Sequence, residues 1–220
     1  REKVFGSDHP DTAISYNNIG SVYSSQGDYP KALEYHFKAL SITEKVFGLD
    51  HPATAGSYNN IGLVYSSQGD YPKALEYYFK ALSIQEKVLG LDHPDTAISY
   101  DNIGTIYSDQ GDYPKALEYH FKALSITEKV FGLDHPATAG SYNNIGFVYS
   151  DQGDYPKALE YYFKALSVRE KVLGSDHPNT ATSYNNIGTI YSDQGDYFKA
   201  LEYYFKALVI REKLFGLDHP

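Results

Sequence analysis

The eight histidines are the residues of this chain best equipped for chemistry. An imidazole can bind a transition metal, carry a proton or serve a nucleophile as its base. Six of them, His9, His51, His93, His135, His177 and His219, return every 42 residues, each within the tripeptide Asp-His-Pro. One histidine per interval gives each neighbourhood a single ligand. Stacked helices lie roughly 8–10 Å apart, too far for neighbouring histidines to share a zinc ion bound at about 2.0–2.1 Å. A histidine between Asp and Pro fits the start of a helix instead, and no metal site is expected. His36 and His120 fall in an apolar pattern where sister positions hold Tyr78, Tyr162 and Tyr204, so they read as neutral, hydrogen-bonded core residues. Serines abound, but no nucleophile, base and orienting group assemble within one interval. The glycines lack the clustering of a phosphate-cradling loop. Neither a cofactor nor an enzymatic activity is expected.

One polar register remains: Asn18, Asn60, Asn102, Asn144 and Asn186 recur without a break. An Asn amide can both donate to and accept from one peptide unit. A ladder of such amides can hold an extended backbone whatever its side chains.

The elements that must position these groups follow from the period. The segments Gln26-Gly27-Asp28-Tyr29 and Lys31-Ala32-Leu33-Glu34-Tyr35 keep the same 42-residue interval, giving repeats at about 9–50, 51–92, 93–134, 135–176 and 177–218 within one repeat domain spanning 1–220. Residues 1–8 read as the tail of a preceding second helix, and Gly216–Pro220 as the start of another loop. In the first repeat, helix A is expected from about Pro10 to Ser25, with Asp8 the better N-cap than His9 and Pro10 in the first turn, where its missing N–H costs nothing. Gly27 supplies a left-handed C-cap. Helix B opens near Pro30 and closes before Gly48, carrying Glu34 and Lys38 in the favoured i,i+4 order. Ala13, Tyr16, Ile19, Gly20 and Tyr23 form one apolar stripe, answered by Ala32, Leu33, His36, Ala39, Leu40 and Ile42. Gly20 in mid-helix costs about 1 kcal/mol relative to Ala, so its return in every repeat implies close approach of helix B through Ala32. One such pair cannot bury its own apolar face, and the units must stack.

These residues resemble the tetratricopeptide repeat. The Ile19-Gly20 pair, Tyr23, Ala32, the slot of His36 and Ala39 fall on the family's pattern, with Tyr16 at its opening Trp and Glu44 at its closing Pro. The unit is 42 residues long against the usual 34 or so, so a longer helix B is expected. The junction Glu-Lys-Val-Phe-Gly-Leu-Asp-His-Pro and the Tyr-Asn-Asn-Ile-Gly of helix A look most like the repeats of kinesin light chains. The resemblance implies an all-α fold, a right-handed α-solenoid of five antiparallel helix pairs, with a concave groove lined by the A helices.

The copies are nearly identical, which makes their differences informative. Copies one and three share Asp-Thr-Ala-Ile-Ser, and copies two and four share Ala-Thr-Ala-Gly-Ser, as though a double unit had been duplicated. In helix A, differences recur at the registers of Asp11, Ile14, Asn17, Ser21 and Ser25, a single helical stripe. The Asn17 register reads Asn17, Asn59, Asp101, Asn143, Asn185; that of Ser21 reads Ser21, Leu63, Thr105, Phe147, Thr189. The Ser25 register ends in Asp109, Asp151 and Asp193. Lys31, Glu34, Tyr35 and Lys38, on the opposite face, stay constant although equally free to drift. The candidate peptide-binding groove is therefore this stripe together with the asparagine ladder.

Charge defines the ligand. The chain carries 19 Lys and Arg against 28 Asp and Glu, a net charge of −9, and no basic residue lies in a helix A, where six aspartates do. Such a surface excludes a phosphate backbone as partner. It lacks a cationic clamp for acidic peptides, so a neutral or basic peptide or partner helix is expected. Lys45 and Lys87 are the cations that could reach the groove edge. No apolar run approaches a membrane span, no signal peptide is evident, and a cytoplasmic location is expected. The absence of Met suggests an excerpt of a longer chain. The alternatives to a binding scaffold are a spacer or rod associating end to end, favoured by Phe198 and Val209 in copy five, and a sensor array regulating a larger protein.

Overall fold

The computed structural model describes residues 8–216. The expected helix tail at Arg1–Phe5 and the sixth Asp-His-Pro, at His219, lie outside the described residues. The chain divides into two compact units, Arg1–Gln110 and Gly111–Pro220, with the boundary inside the third repeat. Unit one holds α1 (Pro10–Ser25), α2 (Tyr29–Phe47), α3 (Pro52–Ser67), α4 (Tyr71–Val88) and α5 (Pro94–Asp109). Unit two holds α6 (Tyr113–Phe131), α7 (Pro136–Asp151), α8 (Tyr155–Leu173), α9 (Pro178–Asp193) and α10 (Tyr197–Phe215). These ten helices and the turns between them account for the described residues, which contain no strand. The A helices have 16 residues and the B helices 18 or 19.

The helix starts correct one expectation. His9, not Asp8, caps α1: its Nδ1 accepts from the Asp11 N–H at 3.1 Å. His51, His93, His135 and His177 do the same for α3, α5, α7 and α9. The aspartate beside each cap has another task. Asp8 takes Lys45 Nζ at 2.5 Å and Asp50 takes Lys87 at 2.5 Å, which ties the end of a helix B to the start of its own repeat. Helix B is capped by aspartate, as at Asp28, which accepts from the Lys31 N–H at 3.3 Å. Gly27 precedes it at φ 77°, in the left-handed region where a side chain would be strained.

The helical glycines show why each A–B pair closes as it does. A Cβ on Gly62 would stand 2.7 Å from Cε1 of Tyr78, and one on Gly20 would stand 2.8 Å from the His36 ring. In unit two, Gly146 meets Tyr162 at 2.8 Å and the Ala158 carbonyl at 3.3 Å. The close approach therefore comes chiefly from the ring in the aromatic slot rather than from the alanine at the head of helix B. Those rings are buried, as are Ile61, Val64, Ile103 and Ile106 in unit one and Ile145, Val148, Ile187 and Ile190 in unit two.

Polar ties join successive repeats. The Tyr58 hydroxyl donates to Glu44 at 2.8 Å and that of Tyr100 to Glu86 at 2.6 Å in unit one. Tyr142 donates to Glu128 at 2.8 Å in unit two. The buried Thr54 hydroxyl donates to the Gly48 carbonyl at 2.8 Å, holding the junction against helix A. A second register, the buried Thr43, Gln85 and Thr127 and the partly buried Arg169, meets the serine in the second turn of the next helix A, at 2.7 Å for Arg169 and Ser183.

Candidate functional site

In unit one the candidate residues divide by what they bond. Asn17, on α1, is engaged inward: its Oδ1 meets Nδ1 of His36 at 2.9 Å. Asn59 accepts from Ser99 Oγ at 3.4 Å. Asn18, Asn60 and Asn102, one position further on, make no hydrogen bond through their amides with another described residue, and all three are at least partly open to solvent. Ser21, Leu63 and Thr105 stand exposed on α1, α3 and α5, and Asp101 and Asp109 share that face of α5. Partial burial pushes the Asp109 carboxyl above the usual carboxylate value.

Unit two repeats the arrangement with one difference. Asn144 is unbonded like Asn60, whereas Asn186 donates from Nδ2 to Asn143 Oδ1 at 2.9 Å, a contact that orders α9 on α7. The ladder is thus partly structural. Phe147 stands out from α7, Asp151 and Asp193 are exposed near the helix ends, and Thr189 accepts from the Tyr204 hydroxyl at 3.2 Å while donating to the Asn185 carbonyl. Leu63 is 56% exposed and Phe147 50%. With Ile14 at 53% and Ile98 at 54%, they are the large exposed apolar side chains of the stripe.

α1 and α3 enclose a concavity of about 300 Å³ that brings Ser21 and Ser25 of one repeat together with Asn60 and Leu63 of the next. His36 forms its inner wall. It is 2% exposed, and burial pushes its imidazole below the ordinary histidine value, so the ring is neutral. The stripe predicted from the sequence contains the serines and Leu63 but not His36. The signal for it was the alternation of His and Tyr in one slot.

The constant residues of the opposite face are not free to drift. Tyr35 stacks on Tyr23 at 5.6 Å, and Lys38 lies 4.8 Å above the Tyr35 ring while bonding Glu34 at 2.6 Å. Lys31 bonds Asp28 at 2.6 Å. The same sets recur in unit two, with Lys164 on Glu160 and over Tyr161. Constancy there has a structural cause and cannot serve as a neutral reference for the varying stripe. Lys45 and Lys87 are likewise held by Asp8 and Asp50. Among the described residues no group of three or more His, Cys, Asp or Glu could hold a metal ion, and no helix is long and apolar enough to cross a membrane.

Helix pairs closed on a glycine, with an alanine-lined second helix and tyrosines at the repeat contacts, define a helical-repeat protein of the all-α class. The tetratricopeptide repeat model matches residues 1–45, 25–87, 54–129, 109–171 and 137–213, and the chain belongs to that family. Members of the family are in general scaffolds for protein–protein interaction. No curated protein sequence matches the chain. Among solved structures, BtubC from P. vanneervenii is similar with a TM-score of 0.81 at 23% identity, over 96% of this chain and 84% of that one. A putative kinesin light chain with nearly identical repeats from Podosopora anserina gives a TM-score of 0.76 at 23% identity, over 94% and 98%. A Rap protein solved in complex with Competence and Sporulation Factor gives 0.75 at 22% identity, covering 90% of this chain and 53% of that one. These likenesses establish the fold.

Proposed function

We propose that the A-helix face of each unit binds an extended peptide or a partner helix of neutral to basic character. One observation carries the reading. Leu63 and Phe147 stand half-exposed beside Asn60 and Asn144, whose amides bond nothing among the described residues. An apolar anchor flanked by an idle donor–acceptor pair is what an extended backbone requires. The Rap complex is consistent with this fold holding a partner. The A helices carry no Lys or Arg, while Asp101 and Asp109 in unit one and Asp151 and Asp193 in unit two lie on the same face, which disfavours acidic ligands. The test is a peptide-display selection followed by affinity measurement with Asn60→Ala and Asn144→Ala. Each lost hydrogen bond of about 0.5–1.5 kcal/mol weakens binding by roughly two- to tenfold. If both variants bind every selected peptide as the parent does, the reading fails.

Self-association is a second reading, favoured by the apolar residues peculiar to the fifth repeat: Phe198, where the other repeats have Pro, is 83% exposed, and Val209, where they have Ser, is 48% exposed. A second copy could cover them. Light scattering across a concentration series tests it, and a mass that stays monomeric at the highest concentration removes it.

A further inference from the structure

The polar atoms that line the concavity between α1 and α3, set beside the apolar Leu63 and Val64, are mostly hydrogen-bond acceptors. Ser21 Oγ donates its proton to the Asn17 carbonyl at 3.0 Å, Ser25 Oγ to the Ser21 carbonyl at 3.0 Å, and Ser67 Oγ to the Leu63 carbonyl at 3.0 Å. With each hydroxyl proton committed one turn back along its own helix, the oxygen turns lone pairs outward. His36 adds another. Oδ1 of Asn17 can only accept, so the proton of the neutral ring sits on Nδ1 and Nε2 keeps its lone pair, with no hydrogen-bond partner among the described residues. Ser24 and Asn60, which also line the space, can take either role, and no Lys or Arg lines it.

A ligand entering here must therefore bring the protons. A carboxylate would set lone pairs against lone pairs, and a purely aliphatic side chain would strip water from several acceptors and give them no donor in its place. We propose that this concavity is a subsite for a ligand side chain ending in N–H donors, either the cationic head of a lysine or the carboxamide of a glutamine, with Leu63 packed along its methylene stem. The subsite rests on the reading of this face as a peptide groove and names the side chain that the groove selects. The sister slots sharpen it. Tyr78 and Tyr162 occupy the position of His36 in repeats two and four, where each ring is buried against its glycine. A tyrosine is thus a side chain this fold already accommodates, and it would replace the ring lone pair by a hydroxyl and fill the space.

The experiment follows the His36 ring nitrogens and the backbone amides of Ser21 and Ser67 by NMR in the full chain. The probes are the N-acetyl, N′-methylamide derivatives of lysine, glutamine, glutamate and leucine. The lysine derivative, the glutamine derivative or both should shift these resonances along a saturable curve, their difference telling the ammonium from the amide. The glutamate and leucine derivatives should leave them in place at equal concentration. In His36→Tyr, checked for native helix content, the response should weaken by about tenfold, the worth of one well-made hydrogen bond. Shifts as large with glutamate or leucine, or with none of the four, overturn the proposal. Selected peptides that depend on Asn60 while the four derivatives act alike sink the subsite and leave the groove standing. Donor derivatives that bind here while no peptide binds anywhere do the reverse.

Discussion

Gly56 and Gly62 lie on the same helix, α3, and replacing each by alanine should move stability in opposite directions. Alanine in a helix interior is favoured over glycine by about 0.8–1.0 kcal/mol. A Cβ at position 56 meets no heavy atom within 4 Å, so Gly56→Ala should gain about 1 kcal/mol. A Cβ at position 62 would stand 2.7 Å and 2.8 Å from Cε1 and Cδ1 of Tyr78. That ring is 2% exposed and has nowhere to swing. Overpacking a filled site costs roughly 1–3 kcal/mol, which the helix gain offsets in part, so Gly62→Ala should come out neutral to about 2 kcal/mol less stable. Because both substitutions carry the same helix term, the gap between them, about 1–3 kcal/mol, isolates the contact with the ring. Urea unfolding followed by far-UV circular dichroism measures it, with equal slopes required for the comparison. Tyr78→Leu supplies the control, since in that background Gly62→Ala should stabilise as Gly56→Ala does. If the two alanines agree within about 0.5 kcal/mol in the parent chain, the glycine is not there for the ring.

Three further outcomes follow from the geometry. Burial first, and the Glu44 hydrogen bond second, push the Tyr58 hydroxyl from 10.0 up to about 12; the fold holds that proton more tightly than the unfolded chain, so its stabilising effect is whole below about pH 10 and is lost as pH rises towards 12. Urea midpoints across that window should fall less steeply in Tyr58→Phe, and an unchanged slope would refute the assignment. Burial lowers His36 from its ordinary 6.5, so the unfolded chain takes the proton first; the stability so gained is present above about pH 6.5 and lost as pH falls through the folded value. His36→Tyr should therefore flatten the difference between about pH 7.5 and pH 5, and identical profiles would count against a buried neutral ring. His51→Ala should cost about 1–2 kcal/mol by removing the cap on Ala53 and the ring stacked on Phe47 at 4.5 Å; His51→Asn should recover part of it, and a loss too small to measure would leave the cap without energetic weight.

The helix pattern was readable because proline, glycine and the 42-residue interval punctuate every repeat, and the observed Pro10–Ser25 and Tyr29–Phe47 fall where they were expected. Side-chain partners were less readable. Asp8 has the better capping chemistry in isolation, but Lys45 from the far end of the same repeat claims its carboxylate, and the histidine takes the cap. Local propensity carries no information about a residue 37 positions away. The asparagine ladder was visible as a register, but not its division of labour: Asn186 is consumed by Asn143 while Asn60 is idle. The register of Thr43, Gln85 and Arg169 was not legible as a contact, because it varies on helix B while the serine it meets in the next repeat stays the same.

Two departures from the family pattern become one feature in the structure. The opening aromatic is tyrosine rather than tryptophan and the closing residue is glutamate rather than proline, and Tyr58 donates to Glu44 across the repeat contact. Neither substitution is intelligible alone, because the glutamate needs a donor and the phenol an acceptor once both are partly buried. The same reasoning limits what constancy can show. Tyr35, Lys38 and Glu34 hold one another by stacking, cation–π attraction and charge, so their invariance follows from packing. The weight of a functional reading must fall on side chains that packing leaves unexplained. Leu63 and Phe147 are such residues: each sits on a helix face that serine or threonine occupies in the other repeats, and each leaves half its surface in water. On the proposed reading that surface is covered in the complex, and the ligand's apolar contacts include these two positions.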